Sequence, residues 1–221
     1  MFSSCEAALC GTVLLVAACA HDHNHNTASQ SEAATAGPTI HLPGHWAVGC
    51  HQVEGQHAGW STESVAFAKD GRFVRQIKDY TAAGCPSDSL DDARAYTGTY
   101  RITGPSTAYP GAYDLDFTIT GALATAYGPA AVAELNGNRR CNRADWARGV
   151  RRSVLGADCP GETLTAGSVI YDLVEQEGPR LFFGATSYFR DGSSPTTRPA
   201  RIDQRLAFDR TKGGGKAPVA H

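Results

Sequence analysis

Three histidines at alternate positions, in His21-Asp22-His23-Asn24-His25, form the first constellation in this chain capable of chemistry. In an extended chain alternate side chains lie on one side, so His21, His23 and His25 can present their imidazoles together to a transition metal. The surrounding sequence is small, polar and low in complexity, which favours a solvated linker over a metal site. His45, His51 and His57, with Glu54, are the candidates further along. On a continuous strand His45 and His51 share a face, opposite Trp46 and Cys50, and point to solvent, while Gly55 and Gly59 end the strand before His57.

Asp114 and Asp116 are paired carboxylates, but both fall on the polar face of one strand. General acid–base work needs two carboxylates in differing environments across a cleft, so solvation is the expected role of this pair. Arg139, Arg140, Arg143, Arg148, Arg151 and Arg152 have only Asp145 as a nearby counter-charge. They read either as a site for phosphates or acidic sugars, or as a solvated loop pairing with Asp91, Asp92 or Asp158. No G-x-S-x-G, H-E-x-x-H, P-loop or dinucleotide glycine pattern is present, and no cofactor motif. The sequence thus points away from an enzyme.

The cysteines speak to compartment. An apolar run from Ala7 to Ala20 is too short to span a bilayer and fits a signal h-region, though Met1 to Cys10 carries no Lys or Arg. Val16-Ala17-Ala18-Cys19 resembles a bacterial lipobox, which implies lipidation of Cys19 and a membrane anchor. An ordinary signal cleaved nearby, or a misplaced start codon, is the alternative. Ala20 after the cysteine resembles the pattern of lipoproteins sent to the outer membrane. Residues 1–18 are then signal peptide, 19–39 a lipid-anchored tether, 40–210 the folded domain and 211–221 a tail. Of seven cysteines, Cys50, Cys85, Cys141 and Cys159 remain in the domain. An even count in an exported chain reads as disulfides, and pairing sequence neighbours gives Cys50–Cys85 and Cys141–Cys159. The absence of any C-x-x-C pair weakens a thiolate metal site.

The elements that would position these groups are β-strands. Asp70-Gly71 sits between Ser64–Lys69 and Arg72–Tyr80 as a hairpin turn. Tyr96, Tyr100 and Ile102 share one face, and Tyr113, Leu115, Phe117 and Ile119 alternate with polar residues. Ser168–Glu175 and Leu181–Phe189 flank Glu177-Gly178-Pro179, and Ile202–Phe208 is the expected last strand. Pro129–Asn136 interrupts the rhythm as a short helix. Trp146 and Val150, one helical turn apart, are expected to pack a lid. The 221 residues, 42% hydrophobic and 19% charged with net charge −2, suit one globular domain and do not suit a nucleic-acid binder.

Gly44-His45-Trp46-Ala47-Val48-Gly49-Cys50 opens the domain, and its Gly-x-Trp resembles the first strand of lipocalin and wider calycin barrels. That resemblance implies that Trp46 closes the barrel base beneath a cation from the last strand, for which Arg205 is the candidate. The same stretch, with Asp70-Gly71-Arg72-Phe73, Tyr80, Cys85 and Gly98-Thr99-Tyr100-Arg101, resembles the domain of the adenomatosis polyposis coli down-regulated protein over residues 44–104. Cys141-Asn142-Arg143-Ala144-Asp145-Trp146 and Asp191-Gly192-Ser193-Ser194-Pro195 resemble its bacterial relatives. In animals that family binds lipid-modified Wnt signals with two tandem copies; one copy behind a lipobox does not imply Wnt. The resemblance implies a barrel holding an acyl chain or another apolar ligand, without catalytic residues.

The expectation is an all-β chain: a single antiparallel lipocalin-like β-barrel of about eight strands with a short helical insertion. Its function is expected to be binding of a small apolar or amphiphilic ligand against Tyr100, Tyr113, Leu115, Phe117 and Phe183. A filled, structural barrel in the envelope and a histidine-dependent metal binder are the alternatives. The expected partners are that ligand and the membrane, with no nucleic acid and no protein partner named.

Overall fold

A computed structural model describes residues 40–53, 59–159 and 164–212. Cys19, His21, His23, His25, Glu54 and His57 lie outside the described residues. The described chain is an eight-stranded antiparallel β-barrel. The strands are β1 (Gly44–Val53), β2 (Gly59–Phe67), β3 (Arg72–Tyr80), β4 (Leu90–Pro105), β5 (Tyr113–Ala126), β6 (Arg151–Ser153), β7 (Val169–Glu177), β8 (Arg180–Phe183) and β9 (Phe208–Arg210). Each barrel strand pairs with its sequence neighbour, β7 adds to β5, and β9 returns to β1 to close the circle. β6 is a short addition to the far end of β5. Closure pairs each of the eight barrel strands on both sides and leaves only the three-residue β6 as an edge among the described residues.

The interior is built in layers that the register makes explicit. Phe67, Phe73, Gly98 and Ile119 are successive partners around β2 to β5 and form one layer. Gly98 is glycine because a Cβ there would collide with the Thr118 carbonyl oxygen and crowd the Phe73 ring. Phe117 stacks between Phe67 and Phe73, and Phe183 bridges from Phe117 to Phe208. This half of the barrel is solid. The next layers, Val65–Arg75–Tyr96–Ala122, Glu63–Ile77–Arg94–Ala124 and Ser61–Asp79–Asp92–Ala126, carry charge into the interior and end in small alanines.

Several expected elements differ. β2 begins at Gly59 rather than Ser64, and β4 at Leu90 rather than near Tyr96. β8 stops at Phe183, and Tyr188 and Phe189 beyond it are 91% and 80% exposed. The last strand is Phe208–Arg210, not Ile202–Phe208. Ile202 is buried against Leu173 and Phe182 in a second cluster, so its apolar alternation reflects a covering loop. Thr211, expected in the tail, donates its N–H to the His45 carbonyl at 2.9 Å.

Both disulfides form as expected from sequence neighbours, Cys50–Cys85 and Cys141–Cys159. The first ties β1 to the loop after β3. It does so through a bulge: Val48 partners Glu63 and His51 partners Ser61, so Gly49 and Cys50 together oppose Thr62, one residue more than the register needs, and both are exposed. The bulge corrects the parity of a continuous strand, because His51 now shares the face of Trp46 while His45 does not.

Trp46 is fully buried, and its Nε1–H donates to the Leu42 carbonyl at 2.8 Å. The cation over its ring is Arg210, 5.1 Å from the centroid, which also donates to the Pro43 carbonyl. Arg205 is not that residue. It lies before β9, its side chain is 74% exposed, and it pairs with Asp203 in a local turn.

Candidate functional site

The barrel interior opens at the end where β1 and β3 finish and β2 and β4 begin. There a cavity of about 520 Å³ lies against Val53, Trp60, Asp79, Tyr80, Asp92, Arg94 and Tyr96. That volume falls within the roughly 300–1,000 Å³ of small-molecule sites. Tyr100, Tyr113, Leu115, Phe117 and Phe183, the expected ligand-lining residues, do not line it. They pack in or against the solid half of the core, where aromatic contact leaves no room for a guest.

The far wall comes from the insertion between β5 and β7. α1 (Pro129–Gly137) begins with Pro129 after Gly128, whose N–H and that of Tyr127 donate to the Asp91 carbonyl. A Cβ at Gly128 would meet the Asp91 carboxylate, so a larger residue there would have to displace that side chain. This contact sets α1 against the start of β4 and brings Ala131, Glu134 and Leu135 to the cavity.

Residues 143–150 are not helical, so Trp146 and Val150 do not pack as a helical pair; Trp146 is buried and Val150 exposed. The Asn136 side-chain amide clamps Trp146, donating to its carbonyl at 2.9 Å and accepting its N–H at 2.8 Å. The Trp146 indole N–H donates to the Arg140 carbonyl, and its ring packs with Cys141 and Cys159. Both half-cystines, Trp146 and Val154 line the cavity, so the Cys141–Cys159 disulfide is part of its roof.

The charge of the site is uneven. Asp79, Asp91, Asp92 and Glu134 face Arg94 and Arg140, four carboxylates against two guanidinium groups. Arg94 Nη2 donates to Asp79 at 2.6 Å, while its Nε stays 3.8 Å from Asp92 and is a buried donor with no hydrogen-bond partner among the described residues. Burial, then repulsion from Asp79, pushes the Asp92 carboxyl up to about 6, with Arg94 opposing only in part. Asp91 is also raised, by burial and then by Glu134 and Asp79. Burial works against the charge of Arg94, but Asp79, Tyr96 and Asp92 outweigh it and keep it protonated.

The other expected chemistry is arranged differently. Asp116 is 9% exposed rather than solvated. Arg198 reaches it at 2.7 Å, donates to the Leu115 carbonyl at 3.1 Å, approaches Asp114 at 3.6 Å and lies over Tyr171. This buried arginine fastens the covering loop to the outside of β5 and β7, a structural role. In the arginine-rich stretch Arg143 and Arg152 pair with Asp145, and neither pairs with Asp91, Asp92 or Asp158. Among the described residues no three His, Cys, Asp or Glu side chains converge to hold a metal ion. The chain matches no protein-family model and no curated protein.

Proposed function

We propose that this protein is an exported, lipid-anchored β-barrel that binds a small amphiphilic ligand, without catalysis, in the cavity beneath α1. The observation that carries the reading is the division of the barrel into one packed half and one hollow half. A protein serving only as a spacer would gain stability by filling both, since each void forfeits packing contacts. Here the hollow half ends in small side chains, Ala122, Ala124 and Ala126, and is walled by Trp60, Tyr80, Tyr96 and Trp146. Apolar rings beside a few charged groups suit a ligand with one apolar and one polar end.

Export is supported by the two disulfides, which persist in oxidising compartments. Outer-membrane anchoring rests on the lipobox-like Val16-Ala17-Ala18-Cys19. A non-enzymatic role is the reading of a sequence without a G-x-S-x-G, H-E-x-x-H, P-loop or dinucleotide glycine pattern.

Titrating the full chain with octanol while following tryptophan fluorescence tests the reading, because Trp60 and Trp146 both face the cavity. Saturable quenching is the expected result. A response that never saturates contradicts it.

A further inference from the structure

We infer that the ligand bears a cationic head, an amine or guanidine on an apolar or aromatic body, with the head beside Asp92 and the body among the cavity's aromatic rings. This rests on the reading of the hollow half as a ligand site and names the class of ligand that site takes.

Three features of the cavity point the same way. The first is its charge balance. Asp79 already has its counter-ion in Arg94, whereas Asp92 receives no hydrogen bond from any cation among the described residues. Asp79 and Asp92 are register partners that share one guanidinium, Arg94, so the pair is one positive charge short, and a bound cation would supply it. The second is the wall. Trp60, Tyr80, Tyr96 and Trp146 line the same space, and a desolvated cation gains further beside aromatic rings. The third is shape. A bare metal ion would need three or more ligands converging on one point, and no such group exists among the described residues. The void of about 520 Å³ has room for an organic cation of about ten heavy atoms with its hydrocarbon part. An anionic head, such as a fatty-acid carboxylate, would meet four carboxylates, Asp79, Asp91, Asp92 and Glu134, against Arg140 and an Arg94 already engaged with Asp79.

The experiment compares three probes of one chain length on the full protein: octylamine, octanol and octanoate, each followed by tryptophan quenching and by calorimetry at pH 7.5. Octylamine should bind about ten-fold or more tighter than octanol, the effect of one well-placed charge pair, with octanoate the weakest. Asp92→Asn, an isosteric change that removes a repulsion, should bring octylamine to the level of octanol and leave octanol unchanged. Asp91→Asn is a second variant, expected to weaken octylamine less. Octanol or octanoate binding as tightly as octylamine, or an amine preference that survives both variants, overturns the cationic head and leaves the cavity reading standing. Binding of none of the three probes overturns both.

Discussion

Asp79 and Asp92 are register partners on β3 and β4, and the Arg94 guanidinium serves them unequally, at 2.6 Å from the first and 3.8 Å from the second. The pair is therefore short of positive charge in the folded protein, a condition that costs stability and is tolerated at sites built for something else.

The cost has a definite pH dependence. Burial and Asp79 raise the folded-state Asp92 carboxyl from 3.8 to about 6, so the folded state holds that proton more tightly than the unfolded one. Its contribution to stability falls as pH rises from about 4 to about 6 and stays low above that. Asp172, raised to about 6 chiefly by burial with Arg75 opposing, adds a slope of the same sign. The lowered carboxyls, Asp70, Asp145, Asp191 and Asp203, act below about pH 4 and leave this window clear. Asp92→Asn should raise the stability of the ligand-free protein at pH 7 by about 1 kcal/mol after discounting for partial exposure, and flatten part of the slope. Urea midpoints between pH 4 and 8 check this; a variant less stable than the parent at pH 7 contradicts it.

The same carboxyl predicts how amine binding responds to acid. Below about pH 6 a bound amine must displace the Asp92 proton, so octylamine affinity should fall up to about ten-fold per unit, while octanol affinity stays level. The groups facing Asp92 are Asp79 and Tyr80 on β3, Asp91 and Arg94 on β4, and Glu134 and Arg140 from the insertion. An amine affinity that rises on acidification contradicts the assignment.

Much of the barrel was legible in the sequence where the apolar alternation is clean, as in Tyr113–Ile119, and where Asp70-Gly71 fixes a hairpin. The site was not, and the reason is physical. The segments that build the cavity, Gly59–Thr62 and Leu90–Arg94, place polar and charged residues inward, so the two-residue pattern that announces a half-buried strand is broken where the barrel is hollow. The aromatic strands drew attention because they are apolar, and they are apolar because they fill the other half. Arg210 and Arg198 gave no local signal either, since each acts on a residue far away in sequence. One sign was present: Asp91-Asp92-Ala93-Arg94 beside Tyr96 is more charged than a turn there requires.

The roof predicts a separable loss. Replacing both Cys141 and Cys159 by Ser opens an 18-residue loop, for which chain entropy gives about 3 kcal/mol. The barrel, still closed by its strands and by Cys50–Cys85, should keep its far-ultraviolet spectrum while Trp146 becomes accessible to acrylamide. Unchanged quenching would mean that the disulfide does not hold the roof.

The two arginines that hold the scaffold should differ from the expected one. Arg198→Ala leaves Asp116 buried without its closest cation and should cost about 3–5 kcal/mol, part of it recovered by adding Asp116→Ala. Arg210→Ala should cost about 1 kcal/mol through the Trp46 contact, and Arg205→Ala no more than about 0.5. Urea unfolding of the three variants orders them, and a larger loss at Arg205 than at Arg210 contradicts the barrel closure described.

The proposed ligand site is the hollow half beneath α1 and not the aromatic half. Ala131 is buried on α1 and faces the cavity, so Ala131→Trp fills the void from the roof without touching the packed core. Calorimetric titration of that variant with octylamine tests this placement directly. The variant should fold and bind octylamine about ten-fold or more weakly; affinity equal to that of the parent would place the ligand elsewhere.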